Sequence, residues 1–183
     1  MKDLFLAIKQ RIQSTITLDN TLYETPNQQM YVEPYNNQWE DWKGESPKMR
    51  QIPIPCVLVE WIKPIPVKQL GSGVKLYEPL RIRIHIIQKQ LDQGDGTVDA
   101  NLNIYDLQEQ VYLALEKWNP QTSTPLVKGS LMVMVEQEPD ENYNQLYNWR
   151  MVFETTYMDS SHPLAEPYET AGPPITYNPT ITT

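Results

Sequence analysis

Apolar residues recur along this chain with two different periods, and the changes from one to the other mark out its elements. Leu4, Ile8 and Ile12 return every four residues, with Phe5 and Ile16 beside the same stripe and Lys2, Lys9, Gln10 and Gln13 opposite. That spacing puts the apolar side chains on one face of a helix of about four turns. Thr15 to Asn20, β-branched and polar, ends it. From Ile54 to Ile62 the chain is almost continuously apolar and β-branched, as in a strand covered on both faces. Pro53 and Pro55 hold its beginning to a sheet edge or a strand start. Pro64, Pro66, Gly71 and Gly73 mark a connection. Val74 to Lys89 then reads as a long strand, bent near Pro79, in which Arg81, Arg83 and His85 alternate with Ile82, Ile84 and Ile86.

Helical spacing returns with Leu107, Val111, Ala114, Leu115 and Trp118. Asp99 or Asn103 is the expected cap, because a short side-chain oxygen there accepts from free backbone amides. Asn119 and Pro120 supply the stop. Leu131, Val133 and Val135 alternate with Met132 and Met134, so both faces of the next strand are apolar. In the last strand Tyr147, Trp149, Met151, Phe153, Thr155 and Tyr157 share one face, against Asn148, Arg150, Val152, Glu154 and Thr156. The acidic, turn-rich stretch Glu136 to Gln145 between them predicts an antiparallel hairpin with a polar tip.

The order helix, strand, strand, helix, strand, strand predicts an α+β fold, an antiparallel β-sheet with two α-helices packed on one face. Residues 1–159 form this domain, with a long loop at 19–50 that holds a short strand near Gln29 to Glu33. Residues 160–183 form a Pro-rich C-terminal arm. A length of 183 residues suits one domain plus extensions, since single cores usually reach about 100 to 200 residues. The sixteen prolines against seven glycines belong largely to those extensions.

Charge and chemistry narrow the function classes. A formal charge of -8 argues against a general nucleic-acid binder, whose affinity comes from Lys and Arg on phosphates. The single cysteine, Cys56, lies in an apolar run, where it packs as a small hydrophobe and has no intrachain disulfide partner. No stretch reaches the roughly 18 apolar residues of a membrane span. Met1-Lys2-Asp3-Leu4-Phe5 is too charged for a signal peptide, so a soluble, intracellularly made protein is expected. His85 and His162 lack zinc-ligand spacing. Asp92-Gln93-Gly94-Asp95-Gly96 has Asn103 where a calcium loop needs its twelfth-position acid, and is a turn. Gly71-Ser72-Gly73 is followed by Leu76 where a dinucleotide fingerprint needs its third glycine. No catalytic, cofactor or metal residue is therefore assigned. Arg81, Arg83 and His85 form a basic row that is a solvated sheet face, pairs across strands with Glu60 or Glu154, or faces a partner or DNA. The aromatic row Tyr147 to Tyr157 is expected to be core rather than a stacking platform. The Tyr- and Pro-rich arms suit lying along a neighbouring subunit, since proline lowers the entropy lost on ordering.

The helix Leu4 to Ile16, the strand Ile54-Pro55-Cys56-Val57-Leu58-Val59-Glu60-Trp61, the strand Leu80 to Gln88, the helix Ile104 to Trp118 and the closing Phe153-Glu154-Thr155-Thr156-Tyr157 together resemble the tail terminator, or tail completion, proteins of long-tailed bacteriophages. The resemblance covers roughly residues 1–159 and rests on element order, with no catalytic signature. The long loop at 19–50 and the C-terminal arm depart from the compact members of that family. It implies a virion structural protein of the neck or tail, made in the host cytoplasm. Such a subunit forms a homohexamer ring that caps the tail tube, joins it to the head connector and lets DNA pass without specific binding. Contacts with neighbouring copies or adjoining parts are expected at Arg81, Arg83, Glu136, Glu138, Asp140, Glu141, Tyr168 and Tyr177. The alternatives are another neck ring component, a stopper or adaptor, and a small hydrolase or nucleic-acid-processing enzyme using His85 or Asp95.

Overall fold

The computed structural model describes residues 1–16, 29–36, 53–70, 74–89, 98–120, 131–140 and 146–159. Most of the 19–50 loop, the turns at 71–73 and 90–97, the hairpin tip at 141–145 and the 160–183 arm lie outside them. The chain order is α1 (Lys2–Thr15), β1 (Tyr31–Pro34), β2 (Cys56–Trp61), β3 (Lys68–Gln69), β4 (Lys75–Lys89), α2 (Val98–Leu115), β5 (Val133–Asp140) and β6 (Leu146–Asp159). The strands make one six-stranded sheet in the order β1-β2-β4-β6-β5, with β3 attached to β4. This is an α+β fold, as the element order implies. All described pairings are antiparallel except β1 with β2, which is parallel. A parallel neighbour needs a connection of a dozen or more residues, and the chain between Pro34 and Cys56 is longer than that. The short strand expected near Gln29 to Glu33 is β1.

The core lies between both helices and one face of the sheet. Leu4, Ile8 and Ile12 of α1 and Ile104, Leu107, Val111, Ala114 and Leu115 of α2 are buried with Val57, Val59, Ile82, Ile84, Ile86, Met151 and Phe153. The row Tyr147 to Tyr157 is therefore helix-facing core. Across the sheet, Cys56, Leu58 and Ile87 form a smaller apolar cluster with Tyr31, Tyr35 and Ile54 packed against it. That explains why β2 is apolar on both faces. Burial, with the Glu33 charge adding to it, pushes the Cys56 thiol up to about 12, so it packs as a neutral hydrophobe.

The helices are joined to each other and to the sheet by polar ties. Arg11 of α1 donates from Nε to the Ala114 carbonyl at 2.9 Å and lies over the Trp118 ring. A cation at that end meets the negative pole of α2. Gln13 donates to the Met30 carbonyl, also at 2.9 Å, and so fixes α1 against the start of β1. Helix α2 begins at Val98, so Asp99 falls in its first turn and Asn103 inside it, and neither is the residue that precedes the helix. It also stops earlier than Asn119-Pro120 implies. Lys117 turns left-handed at φ 57 and its amide donates to the Met132 carbonyl. The Met132 amide in turn donates to the Trp118 carbonyl, so the end of the helix is stitched to the start of β5. A side chain with a Cβ is strained at that φ. Lys117→Gly, which keeps the backbone bond, is expected to raise stability by about 1 kcal/mol, read as a higher denaturant midpoint.

Two register shifts shape the long strands. One falls between Tyr77 and Leu80, where the pattern around Pro79 implies a bend. The other falls between Met134 and Glu136, leaving Val135 as the extra residue of β5. β5 closes one edge of the sheet, and this changes the expectation for its two faces. Met132 is buried and Met134 packs on the core, whereas Leu131, Val133 and Val135 are exposed. An edge strand on a sheet with helices on one side has only that side covered.

Candidate functional site

The face of the sheet away from the helices carries nearly all the polar residues of its inner strands. Alternation places Cys56, Leu58 and Glu60 of β2 on this face with Arg81, Arg83, His85 and Ile87 of β4. It also places Asn148, Arg150, Val152 and Glu154 of β6 there. The register then sets Glu60 opposite Arg83, Leu58 opposite His85, His85 opposite Arg150 and Arg81 opposite Glu154.

These oppositions become ion pairs. Arg81 Nε donates to Glu154 Oε2 at 3.1 Å, and Arg150 Nη1 donates to Glu138 Oε1 at 3.3 Å. Glu60 Oε2 accepts from Arg83 Nη1 at 3.0 Å and pairs with His85 Nε2 at 2.9 Å. Because a carboxylate only accepts, the His85 Nε2 carries the proton in that bond. Tyr35, just past β1, stacks on the imidazole with ring centroids 4.3 Å apart and an angle of 14°. The Tyr35 amide donates to the Val59 carbonyl, which fixes the ring over the sheet.

The electrostatics follow from this packing. His85 is 2% exposed, and burial lowers its pKa more strongly than the Glu60 bond raises it, with Arg150 and Arg83 adding to the lowering. The imidazole is thus neutral near pH 7. Burial tends to raise the Glu60 carboxyl, but the His85 bond and the Arg83 charge together hold it below its ordinary value. Glu60 therefore stays ionised and ties two residues of β4 to β2. The arrangement is a charged brace across four strands, β2, β4, β6 and β5, with its histidine sealed under an aromatic ring.

Of the residues expected to meet partners, Arg81, Arg83, Glu136 and Glu138 come together on this one face. Arg81, Arg83 and Glu138 are engaged in ion pairs. Glu136 is exposed opposite Val152, and Asp140 ends β5 opposite Asn148. Glu141, Tyr168, Tyr177, His162 and Asp95 lie outside the described residues. Tyr35 and Arg150 join the brace without having been expected there. The alternation of the last strand carries a signal for Arg150, while nothing in the aperiodic loop singles out Tyr35.

Among the described residues no three His, Cys, Asp or Glu side chains gather where they could hold a metal ion. Nor is any helix among them long and apolar enough to cross a membrane. No protein-family model and no curated protein matches the chain.

Proposed function

We propose that this chain is a bacteriophage virion structural protein of the neck or tail, a subunit of a ring that caps the tail tube and joins it to the head connector. The observation that carries this reading is the edge strand β5. It leaves Leu131, Val133 and Val135 about half exposed in a row that continues into acidic Glu136 and Glu138. Edge strands are usually blunted by charged residues, proline or a bulge, and β5 has these from Val135 onward but not before it. Here the apolar part comes first, which suits burial against another subunit. The element order agrees with the tail terminator resemblance, and the net charge of -8 suits a bore through which DNA slides. In this role the charged brace holds the sheet rigid while surfaces, rather than reactive groups, perform the work.

Static light scattering of the full chain, alone and with purified tail tubes, tests this. A mass near six subunits with rings at tube ends in electron micrographs is the expected result. A strict monomer under every condition would overturn it, and rings bound to the portal side instead of the tube would favour a stopper or adaptor.

A further inference from the structure

A second exposed surface complements the β5 edge, and it lies on the opposite side of the sheet. β3 pairs with Lys75 and Leu76 of β4, while the same two residues pair on their other side with Asp159 and Met158 of β6. β3 therefore sits beside β2, away from β6 and β5. It belongs to a small projection, residues 63–70 with Lys75, on which Val67 and Leu70 are 50% and 40% exposed. Lys63, Lys68 and Lys75 stand exposed around them. Lys68 is engaged with Glu78 at 3.2 Å, which leaves Lys63 and Lys75 as the positive charges without an ion pair among the described residues. In a chain of net charge -8 this is a local exception.

We infer that the β3 projection of one copy docks on the β5 edge of the next, apolar row against apolar row and lysines against Glu136, with Glu138 beside it held by Arg150. One chain cannot bring its own two surfaces together, because they flank the same rigid sheet. A second copy can. The contact is heterologous, the kind that closes into a ring when the rotation between copies allows. It is made by side chains at the start of β5, because the backbone there is already occupied. Met134 donates its amide to the Glu116 carboxylate at 2.9 Å, and Met132 is held by Lys117 and Trp118. This interface rests on the ring reading above and assigns it residues.

Charge reversal on the full chain tests it. V135K/E136K makes the β5 edge basic, and K63E/K75E makes the projection acidic. In either variant alone the two surfaces repel, so self-association is expected to weaken at least about tenfold, since like charges facing across an interface cost several kcal/mol. An equimolar mixture restores complementary contacts at both interfaces of alternating copies. Its recovery of the wild-type mass also shows that each variant is folded. Assembly of either variant at the wild-type level overturns the interface while leaving the ring reading intact. A wild-type chain that never associates overturns both. Rings that obey the charge rules but ignore tail tubes keep the interface and sink the neck assignment. If the chain's own residues 160–183 occupy the β5 edge instead, V135K/E136K shifts the thermal midpoint without changing the mass, which also overturns the proposal.

Discussion

Phe153→Ala is expected to destabilise the domain by about 3 to 5 kcal/mol, enough to unfold most of a marginally stable chain near physiological temperature. Phe153 is fully buried on β6, between Ile82 of β4 and Met134 of β5, on the face that both helices cover. Its neighbours come from three strands and cannot all collapse inward at once, so the lost ring leaves a cavity in addition to the lost transfer energy. Chemical denaturation followed by tryptophan fluorescence checks the value. Phe153→Leu, which keeps most of the volume, is expected to cost far less. An equal loss in both variants would mean that something other than packing sets the cost.

Glu60→Ala is expected to cost about 2 kcal/mol near pH 7, hydrogen bonds to charged groups being worth about 1.5 to 3. The loss removes the acceptor shared by Arg83 and His85. Arg83 retains access to water, whereas the buried imidazole does not. The same site sets an acid limb on stability. His85 has a folded pKa below 6.5, so the unfolded chain binds its proton first. Its contribution is complete above 6.5 and declines as pH falls below that value. Glu60 has a folded pKa below 4.5. Its contribution is present above 4.5 and is lost as pH falls through the folded value. Both limbs run the same way, so thermal midpoints should fall steadily on acidification from pH 7 to pH 4. His85→Phe, which keeps a ring against Tyr35, is expected to flatten the upper limb and also to shrink the lower one, because it removes one of the two interactions that hold the Glu60 carboxyl below its ordinary value. Midpoints that stay level between pH 7 and pH 5 in the wild type would contradict the burial of a neutral imidazole.

Much of the brace is legible in the amino-acid sequence. Alternation in Arg81-Ile82-Arg83-Ile84-His85-Ile86 puts the three basic residues on one face, and cross-strand pairing with Glu60 or Glu154 is one of the arrangements it allows. Both pairs form. Which acid each base takes is not legible, because a shift of one residue in register turns every side chain to the other face. Arg150 pairs with Glu138 for the same reason, and only after the bulge at Val135 has set the phase of β5. Tyr35 follows a short strand in a stretch with no period, and reaches His85 because β1 lies parallel beside β2.

Taken alone, the residues determined which segments are helix and which are strand, the two-residue β3 read as a connection excepted, in what order, and which side of each is apolar. Those properties come from spacings of two or four positions and from prolines, all short-range. The tertiary structure decided the rest: that β1 runs parallel to β2, that β5 is an edge with three apolar side chains in solvent, that α2 ends at a left-handed lysine tied to β5, and that one carboxylate oxygen serves two residues of β4. Each of these joins residues far apart in the chain. Such contacts are selected by how all the apolar faces are buried together, which no local spacing encodes.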